Sequence, residues 1–406
     1  MKFNFTKLTL LLLGSILIIS CSNKEEENVI PENEISKTDF VQNYAVIVSA
    51  NYADTYNTAV LMKTKIDAFI ASPSETTLFR ARTAWLYARD FYGQTEAYRE
   101  ANGPIDNEDL LANEGQINAW PLDEAFIDYV ANTTGGKVQN GLIGDTSFNL
   151  TEANILNKNE DGKDDNISTG WHAIEFLLWG QDLNYDPVKH TTDNYSVSGE
   201  RSFTDYTTAD FAERRKTYLQ IVTDLLVKDL SDLNSTWADG GSYRTTFEAL
   251  DVDVALTNIL NGIGFISNGE IALERLDPAI DEGQENEHSC FSDNTNQDMW
   301  ANVHGINNII IGSYLSESGA IVSGVSLIEL VNQSDITIGA ALEAEAKTTI
   351  SKLDNLLALG ITFDEIISSE TLGSNGAAGQ LSSALKAQGT AISEAASALS
   401  IKITIK

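Results

Sequence analysis

Between Asp39 and Ala71 the apolar residues Phe40, Tyr44, Val48, Tyr52, Tyr56, Val60, Met62, Ile66 and Ile70 return at mostly fourfold spacing. That period winds one apolar stripe along a helix of roughly thirty residues, whereas a strand would need alternation at every second residue. The same patterning runs down the chain. Ser74 is placed to cap a second helix, from Glu75 to about Arg99. In Trp120-Pro121-Leu122-Asp123-Glu124 a proline and two acids stand where a helix first turn favours them, so a third helix is expected to begin there. Thr169 or Gly170 starts a fourth that stops at Gly180, residues 184–208 read as loop, and Ala209–Leu233 resumes through Phe211, Tyr218, Val222, Leu225, Leu226 and Leu233.

The breaker-rich segment from Asn234 to Ser242 divides these helices from a second set, at about 245–276, 296–316, 335–359 and an Ala/Ser-rich 376–400. Alternating strand patterns are scarce apart from the tail Ile401–Lys406. The expectation is an all-α fold of two four-helix-bundle-like domains packed together, residues 37–238 and 239–406. The polar stretch from Asp277 to Asn296 is long for a bundle connection, a length at which loops are functional or disordered.

Ahead of the helices lies a targeting segment. Lys2 and Lys7 form a positive end, residues 8–19 are mostly Leu and Ile, and Ser20 precedes Cys21. An apolar run of about a dozen residues is too short for a permanent span, which needs ~20, so residues 1–20 read as a lipoprotein signal with Cys21 as the acylated residue. An ordinary secretory signal with an incidental cysteine is the alternative. Residues 21–36 are an acidic tether. Lys24-Glu25-Glu26-Glu27 looks like the tag that sends some lipoproteins to the cell surface, so an outer-membrane, surface-exposed location is expected, or otherwise the periplasmic face. Removing residues 1–20 takes two lysines and no acid, leaving 24 basic against 59 acidic side chains and a formal charge of −35. Such a surface repels nucleic acid and attracts cations. Cys290 is the one cysteine besides Cys21. No internal disulfide can form, and hydrophobic cores must hold the fold.

The most informative stretch is Thr169-Gly170-Trp171-His172-Ala173-Ile174-Glu175-Phe176-Leu177-Leu178-Trp179-Gly180. Apolar side chains point in nearly every direction, so the helix should be buried on most of its surface. His172 and Glu175, three residues apart, share one face. A buried imidazole and carboxylate must be paired, hydrogen-bonded or bound to something. A mutual ion pair and a metal or catalytic role both meet that requirement.

Gly170-Trp171-His172-Ala173-Ile174-Glu175 matches the Gly-x-His-x-x-Glu signature of imelysin-like proteins. Three other stretches resemble that family in the same order: Ala81–Arg89 with Tyr92-Gly93-Gln94-Thr95-Glu96, Gln116–Glu124, and Glu287–Thr295. The resemblance spans most of the mature chain. It implies two helical-bundle domains with the signature near their junction, an association with bacterial iron uptake, and an older description of the family as metallopeptidases.

Zincins need His-Glu-x-x-His and the inverted form His-x-x-Glu-His. Neither occurs here, since Phe176 follows Glu175. His172 and Glu175 supply at most two ligands, and among His190, His288 and His304 the third is best sought in His288, which shares a family-like loop with Asp293. His304, on a helix, reads as a packing residue. The expected metal ligands are therefore His172, Glu175 and His288, for a divalent or ferric ion, with iron the expected one. Arg82, Asp123, Glu124, Asp293 and Asp298 are candidates to flank the metal or bind an iron-bearing ligand. Asp123 and Glu124 are equally suited to stabilise a helix start. Asn157-x-Asn159-x-Asp161-Gly162-x-Asp164 begins like a calcium loop but has Ser168 where the bidentate Glu belongs, and it reads as a polar turn. Gly-x-Ser-x-Gly is absent. The functional expectation is an envelope lipoprotein that binds iron or an iron-bearing ligand, together with an envelope transport partner. The enzyme alternative is a metal-dependent peptidase using His172 and Glu175.

Overall fold

A computed structural model describes residues 35–131, 136–139, 141–182, 185–186, 191–192 and 197–405. Cys21, the acidic tag and His190 lie outside the described residues. From Ile35 onward the chain forms one compact unit. It is all-α, with three small two-stranded antiparallel pairs among the described residues, Val130–Ala131 with Lys137–Val138, Tyr185–Asp186 with Thr191–Thr192, and Ser313–Leu315 with Ile321–Ser323.

Helix α1 is Lys37–Ala71, started by a capping box in which Ser36 Oγ accepts from the Asp39 amide at 3.2 Å and the Asp39 carboxylate accepts from the Ser36 amide at 2.9 Å. Helix α2 is Glu75–Thr95, capped by Ser74 as its sequence demands. Helix α3 is Gly170–Trp179 and α4 is Ala212–Trp237. In the first set α2 and α4 pack against α1, and α3 lies against both α2 and α4. Helix α5, Val252–Phe265, runs straight into a π-helical stretch, Ile266–Leu276. With α6 (Thr295–Ile311), α7 (Ile336–Leu357) and α8 (Ala377–Ala398) it completes the second set. Helix α8 packs on α7 and on the α5/π element, and α6 packs on both α7 and α2.

The α2/α6 contact draws the two sets together at the place where the site lies. A Cβ on Gly305 of α6 would run into the carbonyl oxygen of Gln94 at the end of α2, so only glycine permits that approach. Gly170 works likewise at the start of α3. Its φ is +86°, and a Cβ there would strike the carbonyl of Ile117. All ten residues of α3 are buried. Fully burying Ile174, Phe176, Leu177 and Leu178 is worth at most ~6–12 kcal/mol, enough to carry one hydrogen-bonded polar pair into the core.

Three expectations meet stronger competitors. The second helix ends at Thr95 rather than Arg99 and continues as a single tight turn, Glu96–Tyr98, where the Gly93 carbonyl accepts both the Glu96 amide and Asn302 Nδ2 of α6, the latter at 2.9 Å. The helix expected from Trp120 is one turn, Glu124–Ile127, with Asp123 as its cap. Asp128 leaves it in extended conformation because its buried carboxylate binds Arg201 at 2.7 Å and Arg215 at 2.6 Å. The polar stretch after Asp277 is ordered: a helix Asp277–Glu282, a tight turn Gln284–Asn286, then a loop in which His288, Ser289, Cys290 and Phe291 are all buried.

Candidate functional site

His172 and Glu175 project from one face of α3 and are both fully buried. Imidazole Nδ1 lies 2.9 Å from Glu175 Oε2, and Glu175 Oε1 accepts from the Ser292 hydroxyl at 2.7 Å and the Ser292 amide at 3.0 Å. Contact at 2.9 Å would suit an ion pair, but desolvation disfavours both charged forms. Burial, aided by Arg89 and Arg275, holds the His172 pKa well below the imidazole range, and burial pushes Glu175 up to about 8. The two form a neutral or singly anionic hydrogen-bonded unit. When Glu175 is protonated it donates to Nδ1 and the hydrogen of the neutral ring sits on Nε2. When Glu175 is ionised, Nδ1–H donates to it and Nε2 presents a lone pair. His172 Nε2 is buried with no hydrogen-bond partner, which is costly unless something binds there.

The His172 ring packs 4.8 Å from Trp120 and 6.0 Å from His288, centroid to centroid. Trp120 and His288 line a cleft of about 340 Å³ together with Glu114, Glu160, Glu274 and Arg275, so His172 sits one side chain behind its wall. His288 is bracketed by two guanidiniums, with Arg89 Nη2 and Arg275 Nη1 each 3.0 Å from its Nε2. Guanidinium only donates, so the His288 ring is held neutral and accepting. Burial and then Arg275 and Arg89 keep its pKa well below the usual range.

A buried ionic frame sets those arginines. Arg89, on α2, also donates to Asp298 of α6 at 2.9 Å and to Asn118, while Asn118 donates to Glu96 at 2.7 Å. Arg275 binds Glu96 at 2.8 Å and Glu270 at 2.6 Å. Glu270 and Arg275 are five residues apart, a spacing that stacks side chains on successive turns only where hydrogen bonds run from i to i+5, and both lie in the π-helical stretch. Burial pushes Glu96 and Glu270 up, but Arg275 and Arg99 overcome it, holding Glu96 below its ordinary range and Glu270 at about 2. Arg89, Glu96, Asn118, Glu270 and Arg275 were not singled out from sequence. Arg89, Glu96 and Asn118 stood inside the family-like stretches, which was the available signal, while Glu270 and Arg275 carried none.

The expected site residues divide. His172, Glu175 and His288 do come together, but with Nδ1 and both Glu175 oxygens engaged, and His288 facing cations, this group offers one unsatisfied donor atom, His172 Nε2. Asp298 is in the frame. Arg82 clamps the end of α3, donating to the carbonyls of Leu178 at 2.8 Å and Arg201 at 2.8 Å, and stacks over Trp179. Asp123 caps its own turn through the Ala125 amide at 3.0 Å, and Glu124 accepts from Gln181 at 3.4 Å. Asp293 is grouped with Asp182 and Asp364. His304 binds the Trp300 carbonyl at 2.8 Å and stacks on that indole, the packing role its position implied. In the 157–168 segment Asn159 spends its side chain on the Gly115 carbonyl and the Ser168 amide, as a polar turn does.

A single nitrogen falls short of the three protein ligands of a hydrolytic zinc centre. It fits a metal that arrives with ligands of its own, and Glu175 is placed to set the ring's tautomer as carboxylates do for metal-binding histidines.

Comparison with known proteins gives a consistent result. The chain is 23% identical over 314 residues to "Iron-regulated protein A" of Synechococcus elongatus, covering 74% of this chain and 70% of that one. A crystal structure of a proposed iron-regulated protein A precursor from Parabacteroides distasonis superposes with a TM-score of 0.66 at 19% identity, covering 91% of this chain and 97% of that one. The family model for imelysin matches residues 48–396, a span that includes the whole of the His172 site, and the chain belongs to the imelysin family.

Proposed function

We propose that this protein is a lipid-anchored envelope component of iron acquisition that binds iron, carried as an iron-bearing ligand, at the cleft beside His172. One observation carries the reading: a fully buried imidazole whose Nδ1 is tied to Glu175 and whose Nε2 has no partner. His172 would supply one nitrogen to the metal, and the ligand's own oxygens the remainder. The iron-regulated relative agrees with an iron-related role. Anchoring through Cys21 would hold the protein where such cargo arrives.

Hydrolysis asks for more than this geometry holds, since the site presents one metal-competent atom rather than three. The test is calorimetric titration of the protein with ferric citrate, with citrate alone, and with ferrous iron under anaerobic conditions. Binding of an iron form that His172→Ala weakens at least tenfold, or ~1.4 kcal/mol, is the expected result. Equal affinity in wild type and variant would remove the site from the proposal.

A further inference from the structure

Where α3 ends, the chain from Gly199 onward runs beside Trp179 and Gly180, and the Arg201 amide donates to the Trp179 carbonyl at 2.7 Å. A cavity of about 270 Å³ opens there, with Tyr129, Lys137, Trp179, Gly180, Arg201 and Asp205 in its lining. Cations outnumber buried carboxylates around it. Arg201 binds Asp128 at 2.7 Å and reaches Asp205 at 3.5 Å, Arg215 binds Asp128 at 2.6 Å, and Lys137 Nζ lies 3.3 Å from Asp205. The same three cations surround the Tyr129 ring, at 4.0 Å for Lys137, 4.9 Å for Arg201 and 5.4 Å for Arg215. A fourth, Arg82, donates to the Leu178 and Arg201 carbonyls and binds no carboxylate among the described residues. Burial lowers its pKa, and the charge of Arg201 adds to the effect. Glu200 also lines the cavity and Glu75 the space beside Arg82, but both are exposed, where water weakens their field. A chain of 59 acidic and 26 basic side chains thus gathers four cations around two buried carboxylates.

One of those cations lacks an acceptor. The Arg201 side chain is 1% exposed, and its Nε is buried without a hydrogen-bond partner. Gly180, having no side chain, leaves room beside that nitrogen: a Cβ there would stand 3.5 Å from Nε. A buried guanidinium N–H with nothing to bind is costly, and an anionic oxygen in the cavity removes the cost. We propose that this cavity binds a small carboxylate, held by Arg201 and Lys137 with its apolar part against Tyr129 and Trp179. Guanidinium and ammonium groups form short charge-assisted hydrogen bonds to carboxylate oxygens. Asp205 and Glu200 share the cavity, and their repulsion weighs more on a doubly charged phosphate than on a singly charged carboxylate. The volume lies at the small end for ligand cavities, which suits a compact acid rather than a peptide. No lining residue is shared with the cleft beside His172, so the site stands independently of iron binding there.

The whole chain would be titrated with sodium benzoate, with benzamide, which keeps the shape without the charge, and with inorganic phosphate, measuring bound ligand by equilibrium dialysis. Saturable binding of benzoate at millimolar concentration or below, and none of benzamide, is expected. Lys137→Met, at an exposed side chain, and Arg201→Lys, which keeps a charge facing Asp128 while removing Nε, should each weaken binding roughly tenfold, or ~1.4 kcal/mol. His172→Ala should leave it unchanged, so that failure here and failure of the iron reading are told apart. If Arg201→Lys does not fold, Lys137→Met decides. Absence of benzoate binding, equal binding of benzamide, tighter binding of phosphate, or an affinity unchanged in Lys137→Met would overturn the proposal.

Discussion

Replacing Glu175 by glutamine changes one atom in the core and separates the readings of the His172 pair. The new side-chain carbonyl still accepts from Ser292, while the amide nitrogen beside it meets His172 Nδ1 as a donor that cannot surrender its proton. The ring is then fixed with hydrogen on Nε2, the atom a metal would need, whereas the native carboxyl can ionise and free that lone pair. Iron affinity should fall 10- to 100-fold, the usual effect of removing the group that orients a metal-binding histidine. Native affinity should rise as pH increases toward about 8, because binding expels the Glu175 proton. Stability should move the other way. The folded pKa of Glu175 is about 8 against 4.5 for the free group, so the folded protein holds a proton the unfolded chain has lost. The stabilisation from this group is complete below about pH 4.5 and is lost progressively as pH rises to about 8. At pH 7 the deficit is about 3 kcal/mol, and Glu175→Gln should recover up to that amount in the metal-free protein. Urea denaturation of both proteins from pH 5 to 8, with iron titrations at the same values and the His172 tautomer read by nitrogen NMR, checks each step. A buried ion pair predicts the reverse, a loss of about 3–5 kcal/mol. That loss, or unchanged iron affinity, would refute the reasoning.

Arg89→Met should destabilise the protein by about 3–5 kcal/mol by stranding Asp298, and adding Asp298→Asn should restore more than half of it. A double variant no more stable than the single one in urea denaturation would show that the ion pair is not the reason. Asp229 is buried on α4 and its pKa is raised to about 6 from 3.8 by burial, so stability from it is present below about pH 4 and lost by about pH 6. Asp229→Asn, whose side-chain oxygen can still accept from Gln116, should therefore gain up to about 3 kcal/mol at pH 7 and flatten the melting temperature between pH 4 and 6. Cys21→Ser should release the protein from membranes, and wild-type protein without lipid by mass spectrometry would sink the anchor reading.

The helices were legible where an apolar stripe ran along one face, as in α1, where Ser74 offered a cap, as in α2, and where apolar residues on every side marked the buried α3. Local chemistry suffices there: a period of 3.6 and a satisfied first turn do not depend on what the helix meets later. The segment from Glu96 to Ser168 was misread where its local signals were true but outweighed. Asp123 does start a helix, yet Arg201 and Arg215, more than 70 residues away, claim Asp128 and end it after one turn.

The site shows the same division. From sequence alone it was determined that α3 would be buried and that His172 and Glu175 would share one face, since both follow from composition and helical geometry. Whether that pair would be an ion pair or a neutral unit with one open nitrogen was decided only by the tertiary structure. It depends on Ser292 taking one Glu175 oxygen and on the completeness of burial. Likewise His288 was recognisable as a candidate, but its neutrality rests on Arg89 from α2 and Arg275 from the π-helical stretch, groups nearly two hundred residues apart in the chain. Charge state is set by everything within a few ångströms, and what lies there is a property of packing, which no local pattern encodes.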